Sequence, residues 1–150
     1  MIKLGLLTTF LASLDMVAAE NIDSWVEDPR IIPSGCVVSG NAEGIILFRQ
    51  EYNAVFSIER FPHKRHHVNE LFGQVCAWLI NNDGDREEIA QPQIDVDILD
   101  DDTADIEITI SFTEDVEAIK DPAGLIVVGG ETYSLGAVVV DVAEEGDIAP

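Results

Sequence analysis

Basic residues are scarce in this sequence, and their scarcity excludes one large class of partners. Only 8 lysines and arginines stand against 29 aspartates and glutamates, so the 150 residues carry a formal net charge of −21. A negatively charged surface repels phosphate groups, so the sequence predicts that the protein does not bind the phosphate backbone of nucleic acid. A chain of this length buries about 70% of its unfolded surface, so it can hold a core without a metal or a disulfide.

Cysteines and long apolar runs are also few. The two cysteines, Cys36 and Cys76, lie far apart and lack the close spacing of metal ligands. We expect both to be reduced thiols in a cytosolic protein. No apolar run approaches the ~18 residues that a membrane span requires, so we predict no membrane association.

The first twenty residues fit two interpretations. Lys3, a following apolar run and then Val17-Ala18-Ala19 have the outline of a secretory signal with a small-residue cleavage site. The single base and the interruption by Asp15 weaken that outline. The leucines at positions 4, 7, 11 and 14 share one face of a helix, so we favour a buried amphipathic helix.

Two different periodicities follow along the chain. Most even positions from Ile46 to Ile58 are apolar, which predicts a long strand with one buried face. From Val68 to Leu79 the apolar spacing becomes that of a helix of about four turns, ended by the polar residues 81–85. The helical stripe comprises Val68, Leu71, Phe72, Val75 and Leu79, widened by Cys76 and Trp78.

Turn signals divide the remaining residues. Asp28-Pro29 predicts a turn between two short extended pieces, and Gly129-Gly130 predicts the turn of a hairpin over 124–136. Residues 137–142 are predicted to form a last strand. The order of helix, strands, helix and strands predicts one α+β domain over 1–142, a mainly antiparallel sheet packed with two helices. Residues 143–150 are expected to form a flexible acidic tail.

Seven carboxylates fall within the eighteen residues QIDVDILDDDTADIEITI (93–110), which raises the question of a metal or catalytic site. Their spacing lacks the glycine and the bidentate glutamate of a helix–loop–helix calcium loop. Acids alternate with isoleucine and valine over 94–98, and a matching alternation runs from Ile106 to Phe112. We therefore predict a β-hairpin with acids on its solvent-exposed face and apolar residues toward the core. We expect the aspartates of its turn to form hydrogen bonds with the backbone of the turn.

Other catalytic or metal-binding patterns are weaker. The segment HKRHH (63–67) brings three histidines together, but no acid or thiol at ligand spacing accompanies them. The sequence has neither a Gly-x-Ser-x-Gly elbow nor a phosphate-binding glycine loop. We predict a protein that is not an enzyme and needs no cofactor.

The order of elements and two local sequences resemble the tail completion protein R family of temperate, contractile-tailed phages. One is Ala77-Trp78-Leu79 near the end of the second helix. The other is the hairpin DILDDDTADIEITISFTEDV (97–116), with Thr113-Glu114 near the end of its strand. The likeness covers residues 1–120, and we carry no family role over to 121–150.

The resemblance implies a structural part of the virion, assembled in the host cytoplasm. It implies a tail-terminator-like fold and a homo-oligomeric ring, hexameric by family analogy, that caps the head-proximal end of the tail. Tail tube and sheath proteins and a head–tail connector protein are the implied partners, and DNA would pass through the ring without specific binding. A head–tail adaptor ring is the nearest alternative. A secreted binding module, cleaved after Ala19, is the rival from another class.

The uneven distribution of charge predicts where subunits or tail proteins meet. Four of the eight bases lie between residues 49 and 65, whereas 87–119 holds twelve acids and no base. Like-charged subunits repel unless opposite patches meet, so we expect the basic group of one subunit to face acidic surface on a neighbour. The expected interface residues are Arg49, Arg60, Lys64, Arg65, His66, Asp95, Asp97, Asp100, Asp101, Asp102 and Glu107.

Overall fold

The computed structural model describes residues 1–38, 43–86 and 90–136. Its helices are α1 (Ile2–Ser13) and α2 (Val68–Asn82), with a 3₁₀ turn at Ala19–Asn21. Its strands are β1 (Ile22–Val37), β2 (Gly44–Phe61), β3 (Gln93–Ile98), β4 (Ala104–Lys120), β5 (Ile126–Val128) and β6 (Glu131–Leu135). The sheet order is β1-β2-β4-β6-β5, and β3 also pairs with β4. This confirms the predicted α+β class, a mainly antiparallel sheet with two helices.

Contacts divide the chain into two compact units. The first consists of Met1–Pro29 and Glu51–Phe112, and the second of Arg30–Gln50 and the chain from Thr113 onward. Strands β1, β2 and β4 each contribute residues to both units. The predicted last strand at 137–142 and the acidic tail at 143–150 lie outside the described residues, so the domain boundary at 142 stays a prediction.

The core of the first unit combines both helices with one face of β2 and β4. Even positions from Tyr52 to Ile58 and from Ile106 to Phe112 are buried there because successive side chains of a strand point to opposite faces. Leu7 and Leu11 of α1 belong to this core, which confirms the predicted buried helix. The helix is less amphipathic than expected, however, because Ile2 and Leu6 on its other face are apolar and exposed.

Helix α2 packs against the same core. It begins after His67, whose Nδ1 accepts a hydrogen bond from the backbone N–H of Asn69 (3.0 Å) and so satisfies one unpaired donor of the first turn. Its buried residues are Leu71, Val75, Trp78 and Leu79. This confirms the helix and its buried tryptophan. The prediction that Cys76 widens the stripe is wrong, because one residue beyond Val75 the side chain is rotated by about 100° and is exposed.

The second unit has a smaller apolar cluster and a tight hairpin. Ile45, Ala118 and Tyr133 form the buried centre of the cluster. Strands β5 and β6 pair antiparallel, and the residues between them, Gly129 and Gly130, have φ of +58° and +81°. A two-residue hairpin turn of type I′ requires positive φ at both positions, and glycine adopts it without a Cβ clash. The predicted hairpin is confirmed.

Strand β1 contradicts the turn predicted at Asp28-Pro29. The strand is continuous from Ile22 to Val37, and Asp28 adopts a φ of +51° within it. Because β1 is the edge strand, its prolines can lack a ladder donor without breaking the sheet. Aspartate is also one of the few residues other than glycine that tolerate positive φ. Strand pairing has therefore overridden the local turn signal.

Candidate interaction surface

The β3–β4 hairpin presents four carboxylates on one face. Its antiparallel register, with Asp95 opposite Glu107 and Asp97 opposite Asp105, confirms the predicted hairpin. These four residues are here called the acidic row. Asp105 and Glu107 alternate with isoleucines of β4 that are buried in the core, and Asp97 and Asp95 lie directly across from them on β3. Their side chains therefore point to the face opposite that core. Like charges directly across a strand pair destabilise it, so a cation against this row would stabilise the hairpin.

Strand β3 itself lies farther outside the core than its sequence suggests. We expected Ile94, Val96 and Ile98 to face the core. They lie on the core side of the hairpin, but they are not buried there: they are 47%, 38% and 59% exposed. Their cross-strand partners in β4 are buried. Within the described residues, however, β3 has a neighbouring strand on one side only. Its apolar side chains therefore extend beyond the buried region.

The turn of this hairpin is held by Asp100. Its Oδ1 accepts hydrogen bonds from the backbone N–H groups of Asp102 (2.8 Å) and Thr103 (2.7 Å) and from the Thr103 hydroxyl (3.0 Å). These bonds favour the ionised carboxylate and so lower the pKa of Asp100 below its ordinary value. The bond from the Asp102 amide contributes most to this lowering. The predicted bonding of the Asp-rich turn to its own backbone is confirmed.

We expect these bonds to make the turn sensitive to acid. A carboxyl whose pKa is lowered by folding stabilises the folded state above its unfolded pKa, and that stabilisation is lost as the pH falls through the folded pKa. In NMR spectra the amide signals of Asp102 and Thr103 should therefore shift together below about pH 4. Asp100→Asn should abolish this common transition and Asp101→Asn should preserve it. An unchanged titration in the Asp100 variant would contradict the assignment.

The basic residues of the expected interface have different partners. The Nζ of Lys64 lies 3.5 Å from the Oδ1 of Asp102, and the His63 ring lies 3.1 Å from the carbonyl oxygen of Asp100. The segment before α2 therefore contacts the acidic turn of its own chain. The other pairs are Arg49 with Asp115 (3.4 Å) and His66 with Glu70 (3.8 Å). Solvent screens the ion pairs of Lys64 and Arg49, so they add little to stability.

Arg60 and Arg65 line a separate cleft of about 330 Å³ within the first unit. The remaining lining residues are Asp15, Met16, Val17, Ala18, Asn21 and Pro62. Asp15 and Arg60 both have positive φ, +56° and +55°, and the backbone N–H of Arg60 donates to Oδ1 of Asp105 (3.0 Å). The sequence indicated both arginines but not the α1–β1 connection opposite them. Only the fold brings these two segments together.

A buried ion cluster in the first unit was not predicted from the sequence. Asp83, which follows α2, is 6% exposed, and its two carboxylate oxygens accept hydrogen bonds from Lys3 Nζ and Arg86 Nη1, both at 2.6 Å. Arg86 also donates to the carbonyl oxygen of Ser111 (3.2 Å), and its guanidinium carbon lies 5.8 Å from the centroid of the Phe112 ring. The cluster thus joins the start of α1, the end of α2 and β4. No periodicity links positions so far apart, so the sequence carries no signal for it.

The described surface offers the chemistry of protein association. Within residues 1–38, 43–86 and 90–136, no three or more histidine, cysteine, aspartate or glutamate side chains are grouped so as to hold a metal ion. In that same part of the chain, no helix is long and apolar enough to cross a membrane. An acidic row, an exposed apolar strand and an arginine-lined cleft are features through which proteins bind one another.

Comparisons with known proteins identify one family. The family model described as P2 phage tail completion protein R (GpR) matches residues 1–135. The chain is also 34% identical over 130 residues to an "uncharacterized 19.2 kDa protein in rep-hol intergenic region" of Haemophilus phage HP1 (strain HP1c1). That match covers 85% of this chain and 77% of the relative. No solved structure matches the chain. Since the family match spans every helix and strand described above, the resemblance is confirmed and this chain belongs to the P2 phage tail completion protein R family.

Proposed function

We propose that this phage tail protein, a component of the virion, caps the head-proximal end of a contractile tail as a homo-oligomeric ring. The observation that carries the proposal is the family match over residues 1–135, whose description names completion of the tail. Completion fits a terminal position, where growth of the tube and sheath stops. A ring suits that position because closing one repeated contact leaves two end faces, one toward the tail and one toward the head.

The exposed edge of β3 supports a role in assembly. An unpaired strand edge with a row of apolar side chains associates readily with other chains, so a protein that keeps such an edge must cover it or blunt it with charge. Ile94, Val96 and Ile98 form such a row, and Asp95 and Asp97 place charge between them. In the ring, a neighbouring subunit or a tail protein would cover the apolar side chains.

The partners follow from the position of the ring. One end face would bind the tail tube and sheath proteins, and the other would bind the head–tail connector protein. With a net charge of −21 on each subunit, acids would also line the central channel. A negative wall lets DNA pass without adhering, because it repels the phosphates.

The packing of α1 argues against a secreted binding module. Cleavage after Ala19 would remove Leu7 and Leu11 from the core. Removal of two buried leucines together with their helix would expose the facing side of the sheet. Mass spectrometry of the protein from assembled tails should find α1 present, and a chain that begins at Glu20 would contradict the proposal.

Electron micrographs of particles from a strain that lacks this protein test the capping role. We expect headless tails of abnormal length, because no ring stops the growth of the tube and sheath. Restoring the wild-type protein from a plasmid should restore the normal length and the attached heads. Normal-length tails beside full heads would overturn the capping role and favour a head–tail adaptor ring.

A further inference from the structure

We propose that the cleft lined by Arg60 and Arg65 binds carboxylates of a second copy of this protein, namely those of the acidic row. This inference rests on the ring proposed above and names a contact that would close it. One subunit would contribute the cleft, and its neighbour would contribute Asp95, Asp97 and Glu107, because Asp105 already accepts a hydrogen bond from the Arg60 backbone of its own chain. Cyclic closure with more than two subunits requires a heterologous contact, in which two different surfaces meet, and a cleft bound to a row of acids is a contact of that kind.

The first support is that both arginines lack a salt bridge. In a chain with 29 acids and 8 bases, at least four of the bases have an acid within salt-bridge distance. Those with such a partner include Lys3, Arg49, Lys64 and Arg86. Within the described residues, neither Arg60 nor Arg65 makes a salt bridge. A guanidinium presents a rigid fork of donors that matches a carboxylate, so the cleft offers two such forks to an acidic partner.

The second support is the backbone around the cleft. Three residues other than glycine have positive φ in the described chain, and two of them, Asp15 and Arg60, line this cleft. Aspartate tolerates that conformation, but arginine has no such preference. At Arg60 the buried alternation of β2 is interrupted, so that Phe61 enters the core and Arg60 stays exposed. Such strain persists where the surrounding structure holds it, and it is common at binding sites.

The acidic row supplies a ligand of the right chemistry. Within the described residues, no lysine or arginine side chain makes a salt bridge with any of its four members. The acids lie in pairs across the two strands, so an arginine between them relieves repulsion as well as adding attraction. A second copy fits better than nucleic acid, because the net charge of −21 repels phosphates while identical copies supply one row for every cleft.

Cross-linking within assembled tails tests the geometry directly. In a background with Cys36→Ser and Cys76→Ser, Arg65→Cys is combined with Asp97→Cys and the tails are treated with a short bis-maleimide. We expect a ladder of covalently linked copies that requires both new cysteines. The control pairs Asp97→Cys with Lys120→Cys, which lies outside the cleft, and should give no ladder. Tails that contain the protein but give no ladder would overturn the inference, as would a cross-link to a different tail protein.

Charge reversal provides an independent measurement. Arg65→Glu and, separately, Asp97→Arg should each weaken self-association on the order of tenfold at low salt, and less at high salt. The two changes combined in one chain should restore it, because each reversed cleft then meets a reversed row. Lys120→Glu alters the net charge as much as Arg65→Glu and should have little effect. Sedimentation equilibrium measures association, and thermal unfolding verifies that each variant folds.

The outcomes separate this inference from the capping role. If the wild-type protein forms a ring in tails but Arg65→Glu associates as well as Lys120→Glu, the cleft is not the contact and the capping role stands. If the protein is monomeric both at high concentration and in assembled tails, the ring and the cleft contact both fail. If tails form normally without the protein, the capping role fails even where the cross-link forms.

Discussion

Asp83→Ala should lower the free energy of unfolding by about 3 kcal/mol, because it leaves two partly buried cations without their buried anion. Asp83 is 6% exposed, and its oxygens lie 2.6 Å from both Lys3 Nζ and Arg86 Nη1. Two cations brought together without the carboxylate would repel each other, because solvent screens them only in part. Denaturant unfolding, monitored by circular dichroism, measures the loss.

Two further variants separate this explanation from a general effect of the region. Asp85→Ala removes an exposed acid two residues away and should change stability by less than about 0.5 kcal/mol. Combining Lys3→Met, Asp83→Leu and Arg86→Met should recover much of the loss, since apolar groups of similar volume often replace a buried ion cluster at no net cost. A small effect of Asp83→Ala alone would mean that water already solvates the cluster.

Phe112→Ala should also lower the free energy of unfolding by about 3–5 kcal/mol, because it removes an aromatic ring at the centre of the core of the first unit. Phe112 is 1% exposed. Its centroid lies 5.9 Å from that of Tyr52 and 6.3 Å from that of Trp78, the latter in an edge-on arrangement. The ring also lies beneath the Arg86 guanidinium, so its removal leaves a cavity and loses a cation–π contact.

Phe72→Ala is the matched control for this prediction. Phe72 lies on α2 and only partly enters the same core, so solvent can fill part of the space that alanine leaves. Its loss of stability should be clearly smaller than that of Phe112→Ala in the same denaturant experiment. Equal losses would show that the side chain of Phe112 is no more central to the core than its neighbours, which would contradict the packing described here.

The elements predicted correctly from the sequence are those whose signal is local and repeated. The β3–β4 hairpin and α2 each carry a periodic apolar pattern bounded by polar residues, and both form where that pattern lies. The wrong predictions concern features that depend on contacts with other strands and helices. The turn signal at Asp28-Pro29 yields to pairing along the sheet edge, and the apolar residues of β3 remain exposed because burial depends on what covers a strand.

The candidate surface was only partly predictable for the same reason. The composition of the chain indicated a group of basic residues and an acidic stretch, and the sequence pattern assigned each of them to predicted strands, helices or turns. It did not distinguish Lys64, which contacts the acidic turn of its own chain, from Arg60 and Arg65, which line a cleft. That distinction depends on the backbone conformation at Arg60 and on the approach of the α1–β1 connection.

By itself, the sequence determined the fold class, the alternation of buried and exposed residues along β4, and the charge that opposes phosphate binding. These properties depend on side-chain periodicity and composition, which are local or additive. Only the tertiary structure decided that Asp83 joins Lys3 and Arg86, and that Arg60, Arg65 and Asp15 line the same cleft. Those contacts join residues that are distant in sequence, and the energy of an ion pair depends on separation and burial in space.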